Sequence, residues 1–226
     1  MSITTTSLTR AAGLSAVVGG LLFIGVQINH PALSLDFVTS TEFAIRQGMK
    51  VGFTVLALAG ITGMYLSQVR RAGVLGLVGY LIAAAGFLSM FALEVAALVV
   101  VPAIVHAAPG YVNDFIAVAM GGHAAGDLGL LTTFNSVVGV LYMAGGLVFG
   151  IALFRANVLA RWACVLLAVA TPLSLAIPLF PFINQRLFAV PTGLALISLG
   201  YSLWREQRTQ VASAPVGSQA VPASVR

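Results

Sequence analysis

Charge is scarce in this chain: Asp, Glu, Lys and Arg together make up 8% of its residues, against roughly 25% in soluble domains. A soluble surface is hard to build from so few ionic groups. Cysteine is scarcer still. Cys164 stands alone, which excludes an internal disulfide and a thiolate metal cluster, so it reads as a small apolar core residue. There is one lysine, Lys50, and no basic stripe interleaved with aromatics, which sets nucleic acid aside as a partner. No Walker loop, GxGxxG, CxxC, nucleophile elbow or Ser-His-Asp pattern occurs. Period-two alternation is missing too, which argues against a β-barrel.

What is abundant is apolar surface. Hydrophobic residues are 59% of the 226, and the mean hydropathy is +1.03. One core cannot hide that much, but lipid can solvate the outer faces of a helix bundle. The expected fold is all-α, a single polytopic membrane domain over residues 1–206 with a disordered tail at 207–226. Helices are expected at about 11–28, 40–68, 73–103, 128–154, 158–180 and 187–204, each long enough to span, which takes about 20 residues. The fifth contains Pro172 and ends around Pro178 and Leu179. The first stretch is too long for a signal-peptide core, and no small-x-small cleavage site follows it, so it is expected to be an uncleaved span.

The basic residues suggest an orientation. Arg10, Arg70, Arg71, Arg155, Arg161, Arg205, Arg208 and Arg226 share one side, and Arg46, Lys50 and Arg186 share the other. By the positive-inside rule both termini are cytoplasmic and three hairpins turn outward. The expected location is a bacterial plasma membrane. Glycine pairs on single helix faces (Gly60 and Gly63, Gly76 and Gly79, Gly146 and Gly150) are expected to serve packing within the monomer.

Polar residues in hydrocarbon are functional candidates by default. Counting helix rise from the cytoplasmic arginines, and from Gln68 for Lys50, places Gln27, Lys50, Glu94, Asn135 and Arg186 all roughly 26 to 34 Å away, at one level near the outer boundary. No Asp, Glu, Lys, Arg or His falls near the midplane of any expected span, which disfavours an ion path through a lone subunit. Beyond the polar level, Pro109-Gly110 signals a turn and 111–120 a short interfacial helix with Phe115, Ile116 and Met120 on its apolar face. Thr39-x-x-Glu42 reads as a capping box, Glu42 and Arg46 as an i,i+4 pair, and Asp127 as the N-cap of the fourth span. A small extracytoplasmic helical cap is therefore expected above the polar layer.

Glu94 stands out, because Phe91-Ala92-Leu93 and Val95-Ala96-Ala97 flank it. Such a carboxylate pairs with a cation or stays protonated, and Lys50 and Arg46 are the candidates in depth. Gln27, Asn29, Lys50, Glu94 and Asn135 form the candidate ligand pocket, with Glu94 also the candidate acid. His30, His106 and His123 share the outer side without compact ligand spacing, so no metal or other cofactor is expected.

Several features resemble a group of actinobacterial multipass membrane proteins to which no activity is assigned. These are Arg10-Ala-Ala-Gly-Leu14, His30-Pro31, the Arg-Ala-x-Val-Leu turns at 71–75 and 155–159, Ala108-Pro109 followed by Asp127-Leu128-Gly129, and the Gly-x-x-Leu-x-Arg helix ends at 150–155 and 200–205. The resemblance covers roughly residues 8–206. It implies a helical membrane protein of about six spans and carries no role to any residue. The chain does not resemble microbial rhodopsins, which need a lysine in the last helix.

Three functions fit. The first is a membrane protein whose outward-facing polar pocket binds a lipid-like or small amphipathic ligand, or which serves as a partner subunit. The second is an intramembrane enzyme acting on an isoprenoid or lipid through Glu94. The third is a transporter built as a homo-oligomer. Membrane lipids are expected partners in each.

Overall fold

The computed structural model describes residues 4–174 and 185–212, and every regular element in them is helical. In chain order these are α1 (Thr5–Gly25), α2 (Leu35–Val38), α3 (Thr41–Leu66), α4 (Val69–Ile104), α5 (Pro109–Ala119), α6 (Leu130–Ala156), α7 (Arg161–Leu173) and α8 (Ala189–Ala212), with a 3-10 turn at Gln185–Phe188 before α8. By length and composition α1, α3, α4 and α6 can each cross a membrane. The expected fifth span falls partly on Pro178 and Leu179, outside the described residues. Helix α8 continues to Ala212, past residue 207 where the tail was expected to begin.

Local hydrogen bonding explains where the helices start. Helix α1 begins earlier than its apolar run because Thr4 and Ser7 cap it reciprocally: the Thr4 hydroxyl accepts from Ser7 N at 3.1 Å and the Ser7 hydroxyl accepts from Thr4 N at 3.0 Å. The expected box at Thr39 does not form. Ser40 caps α3 by accepting from Phe43 N at 3.1 Å, while the Thr39 hydroxyl donates to Asp36 O and closes α2. Asp127 is not an N-cap either. Its Oδ1 accepts from Gly129 N at 2.7 Å in an Asx turn, and Gly129, at φ 59° and ψ −134°, opens α6. That backbone region is accessible essentially to glycine alone.

The helices close a ring in chain order. Helix α1 packs on α3, α3 on α4, α4 on α6, α6 on α7, α7 on α8, and α8 returns to α1. Small residues allow the close approach. A Cβ on Gly79 would lie 2.7 Å from Phe149 N, and one on Gly150 2.7 Å from Ala168 N. Gly60 abuts Ala16. Backbones in such contact gain dispersion that lipid tails cannot match. Outward-facing positions carry Leu14, Leu21, Val55, Leu81, Leu88, Val140 and Val169, all at least half exposed. Apolar side chains exposed on every long helix suit contact with lipid.

The two sequence echoes differ in the structure they build. Gly73 and Asn157, at matching places in the Arg-Ala-x-Val-Leu turns, both take positive φ (57° and 53°). Their ψ values, −154° and 41°, make two different turns. The Gly-x-x-Leu-x-Arg ends do share a packing scheme. Leu153 and Leu203 are fully buried, and the aromatic residue after each receives an arginine from a neighbouring helix, Arg161 over Phe154 and Arg10 over Trp204.

The interior is divided. A large apolar cluster around Phe53, Ile61, Phe149, Leu153, Leu196 and Leu203 fills the ring. A smaller one joins Val38, Phe43, Ala97, Val101, Val105 and Val112, drawn from α2, the start of α3, the end of α4, and α5. Helix α4 is kinked at Gly73, and from that kink to Ile104 it is roughly 46 Å long. It outruns the hydrocarbon thickness of about 30 Å and so belongs to both clusters.

Candidate functional site

Between the two clusters lies a cavity of about 310 Å³. Its walls are helix stripes at i, i+3 and i+4 spacing. Helix α3 contributes Phe43, Gln47 and Lys50; α4 contributes Met90, Leu93, Glu94, Ala97 and Val101; α6 contributes Asn135, Val138 and Gly139. Helix α5 forms the roof with Phe115, Ile116, Ala119 and Met120, and Leu33 and Val38 complete it. A second cavity of about 610 Å³ adjoins it, sharing Met90, Ala119, Met120, Asn135 and Gly139, and includes Gln27 and Tyr142 in its wall.

Glu94 is the centre of the polar wall. Gln47 donates its side-chain amide to the Glu94 carboxylate and, at 3.3 Å, to the Glu94 carbonyl. Lys50 Nζ stands 3.9 Å from Glu94 Oε2, and the two side chains are 22% and 20% exposed. That gap gives attraction without a hydrogen bond. Lys50 has three donors and makes no other polar contact among the described residues. Asn135 lines both cavities and makes no hydrogen bond among the described residues. An amide and an ammonium with spare capacity therefore face one partly apolar space. Spare polar capacity facing an apolar pocket is the usual composition of a small-molecule site.

Arg46, one turn before Lys50, behaves differently. Its Nη1 donates to Val26 O and Ile28 O, both at 3.0 Å, and its Nη2 to Asn29 O at 3.1 Å. Its Nε donates to Glu42 Oε1 at 2.8 Å. The guanidinium thus satisfies the carbonyls left over where α1 ends, and Glu42 holds it there. Arg46 is committed to the fold, which leaves Lys50 as the cation beside Glu94.

Comparison with protein-family models, curated proteins and solved structures finds no match to this chain. The chemistry must be read from the geometry alone.

Of the candidates named from sequence, Lys50, Glu94 and Asn135 meet at the first cavity, and Gln27 lines the second. Asn29 lines neither. It is an exposed turn residue at φ 47°, and its carbonyl serves Arg46. The histidines do not gather, and no three of His, Cys, Asp and Glu come together as metal ligands among the described residues. His30 Nδ1 lies 2.8 Å from Pro31 O, while His106 and His123 are exposed. Sequence reasoning missed Gln47, which is buried at 3% exposure. A signal existed, since Gln47 precedes Lys50 by three residues and so shares its helix face. Asp114 was likewise passed over. Its two oxygens accept from Ala125 N and Gly126 N at 2.8 and 2.9 Å, which ties α5 to the loop leading into α6.

Proposed function

We propose that this is a six-span protein of a bacterial plasma membrane with both termini cytoplasmic, whose outward-facing pocket binds a lipid-like or small amphipathic ligand. The observation that carries the reading is the cavity between the two apolar clusters. One wall is lined by Lys50, Glu94, Gln47 and Asn135, and the roof by Phe115, Ile116 and Met120. A head group gains polar partners while its chain stays against hydrocarbon side chains. The enzyme reading has less support. Glu94 is held by Gln47 and Lys50, and among the described residues no second carboxylate lines either cavity.

The test is native mass spectrometry of the full chain released from membranes. The expected result is a retained small amphipathic molecule, lost in Gly139→Leu. Gly139 faces both cavities, and a Cβ there meets nothing within 4 Å, so a leucine side chain starts into open space. A wild type that carries nothing, and takes up no added amphiphile in the binding experiment below, would sink the reading. Topology is checked separately in a Cys164→Ala background. A membrane-impermeant thiol reagent added outside cells should label His123→Cys and leave Ser67→Cys untouched.

A further inference from the structure

Among the described residues, Lys50 and Glu94 are the only charged side chains lining either cavity. The polar wall is therefore neutral in sum but sharply dipolar. An anionic head would gain from Lys50 and lose to Glu94, and a cationic head the reverse. In each case the ion also gives up its hydration on entering a partly apolar space. A neutral head avoids that cost and can use both ends of the pair.

The spacing favours one kind of neutral head. Lys50 Nζ and Glu94 Oε2 are 3.9 Å apart. An oxygen beside them, about 2.8 Å from each, subtends roughly 90° between them. That is near the angle between an O–H donor and a lone pair of the same oxygen. A hydroxyl placed there accepts from the ammonium and donates to the carboxylate. Gln47 donates to the same Oε2 from within the protein, and a carboxylate oxygen keeps a further lone pair for such a guest. Asn135, without a hydrogen bond of its own among the described residues, faces the same space. Phe43, Val101, Phe115 and Ile116 take the apolar part.

From this geometry we infer that the pocket selects an uncharged, hydroxyl-headed amphiphile, a single alcohol on an apolar chain, with the hydroxyl bridging Lys50 and Glu94. The inference rests on the pocket reading above and specifies its ligand class. A cavity of about 310 Å³ has room for a head and about ten chain atoms, taking about 30 Å³ for each group of water size.

The experiment uses the full chain in lipid nanodiscs with radiolabelled decan-1-ol, decanoate and decylammonium as probes, and Gly139→Leu nanodiscs as the partition background. Wild type is expected to bind decan-1-ol saturably above that background, with decanoate and decylammonium at least tenfold weaker. Glu94→Gln, close in shape to the native side chain, should turn the preference toward decanoate. Lys50→Gln should turn it toward decylammonium. If wild type prefers either charged probe, the neutral-head inference falls and the pocket stands. If head preference is the same in wild type and both variants, the assignment to this pair falls. If no probe binds above the Gly139→Leu background, the pocket reading and this inference fall together.

Discussion

The middle of the bundle and the layer under the cap are built from the same helices but differ in how completely they are filled. In the middle, Phe53, Ile61, Phe149, Leu153 and Leu196 are essentially inaccessible. The polar groups there are neutral and mostly paired with each other or with backbone, such as Tyr142 with Thr192 and Tyr80 with Thr62, both at 3.1 Å. The cavity among them is about 10 Å³, scarcely room for one water. Under the cap, α4 and α6 still run side by side, but the space opens to about 310 Å³ and holds an incompletely satisfied ion pair. A protein that only needed to fold would gain by closing that space, since voids forfeit dispersion contacts. The filled region holds the bundle together so that the open one can remain open.

Substitutions on α6 test this contrast most severely. A Cβ on Gly145 would sit 2.5 Å from the Ala83 Cα, whereas one on Gly139 is unopposed. Gly145→Leu forces α6 away from α4 and should cost about 3 kcal/mol or more, seen as loss of monodisperse protein on size exclusion. Gly139→Leu should elute like wild type. If the two behave alike, the division of the molecule into a packed and an open region is wrong.

The next test compares the two cations on α3. Arg46→Ala removes charge-assisted hydrogen bonds to three carbonyls and should cost about 2 to 3 kcal/mol by unfolding in mixed micelles. Lys50→Met removes one loose pair, and Gln47 remains to hold the carboxylate, so about 1 kcal/mol or less is expected. The reverse order would mean that Lys50 is the structural residue. Tyr142→Phe leaves the buried Thr192 hydroxyl without its donor and should fall between the two at about 1 to 2 kcal/mol. The smallest effect belongs to Gly139→Ala, which should stabilise by about 0.5 to 1 kcal/mol through helix propensity alone.

Much of the site was legible in sequence because depth along a helix is arithmetic. A rise of 1.5 Å per residue is enough to put Lys50, Glu94 and Asn135 at one level. Direction around the helix axis is another matter. Arg46 and Lys50 carry the same charge and lie one turn apart, only about 6 Å in depth, and the sequence offers both to Glu94. The choice depends on where α1 ends and leaves carbonyls unpaired, a fact of packing. The caps at Thr39 and Asp127 were misplaced for a related reason, since several hydroxyls and carboxylates near a helix start compete for the same few N–H groups.

Composition and hydropathy alone determined that this chain is helical and apolar enough for a membrane, because lipid leaves backbone polar groups few alternatives. The run of small and polar residues along each helix also placed a polar level above an inert middle. Only the tertiary structure decided that the helices close in a ring, that Arg46 is spent on α1 while Lys50 is left to Glu94, and that space persists between them. Those outcomes depend on which faces of separate helices meet, and short-range periodicity carries no information about a neighbour distant in the chain.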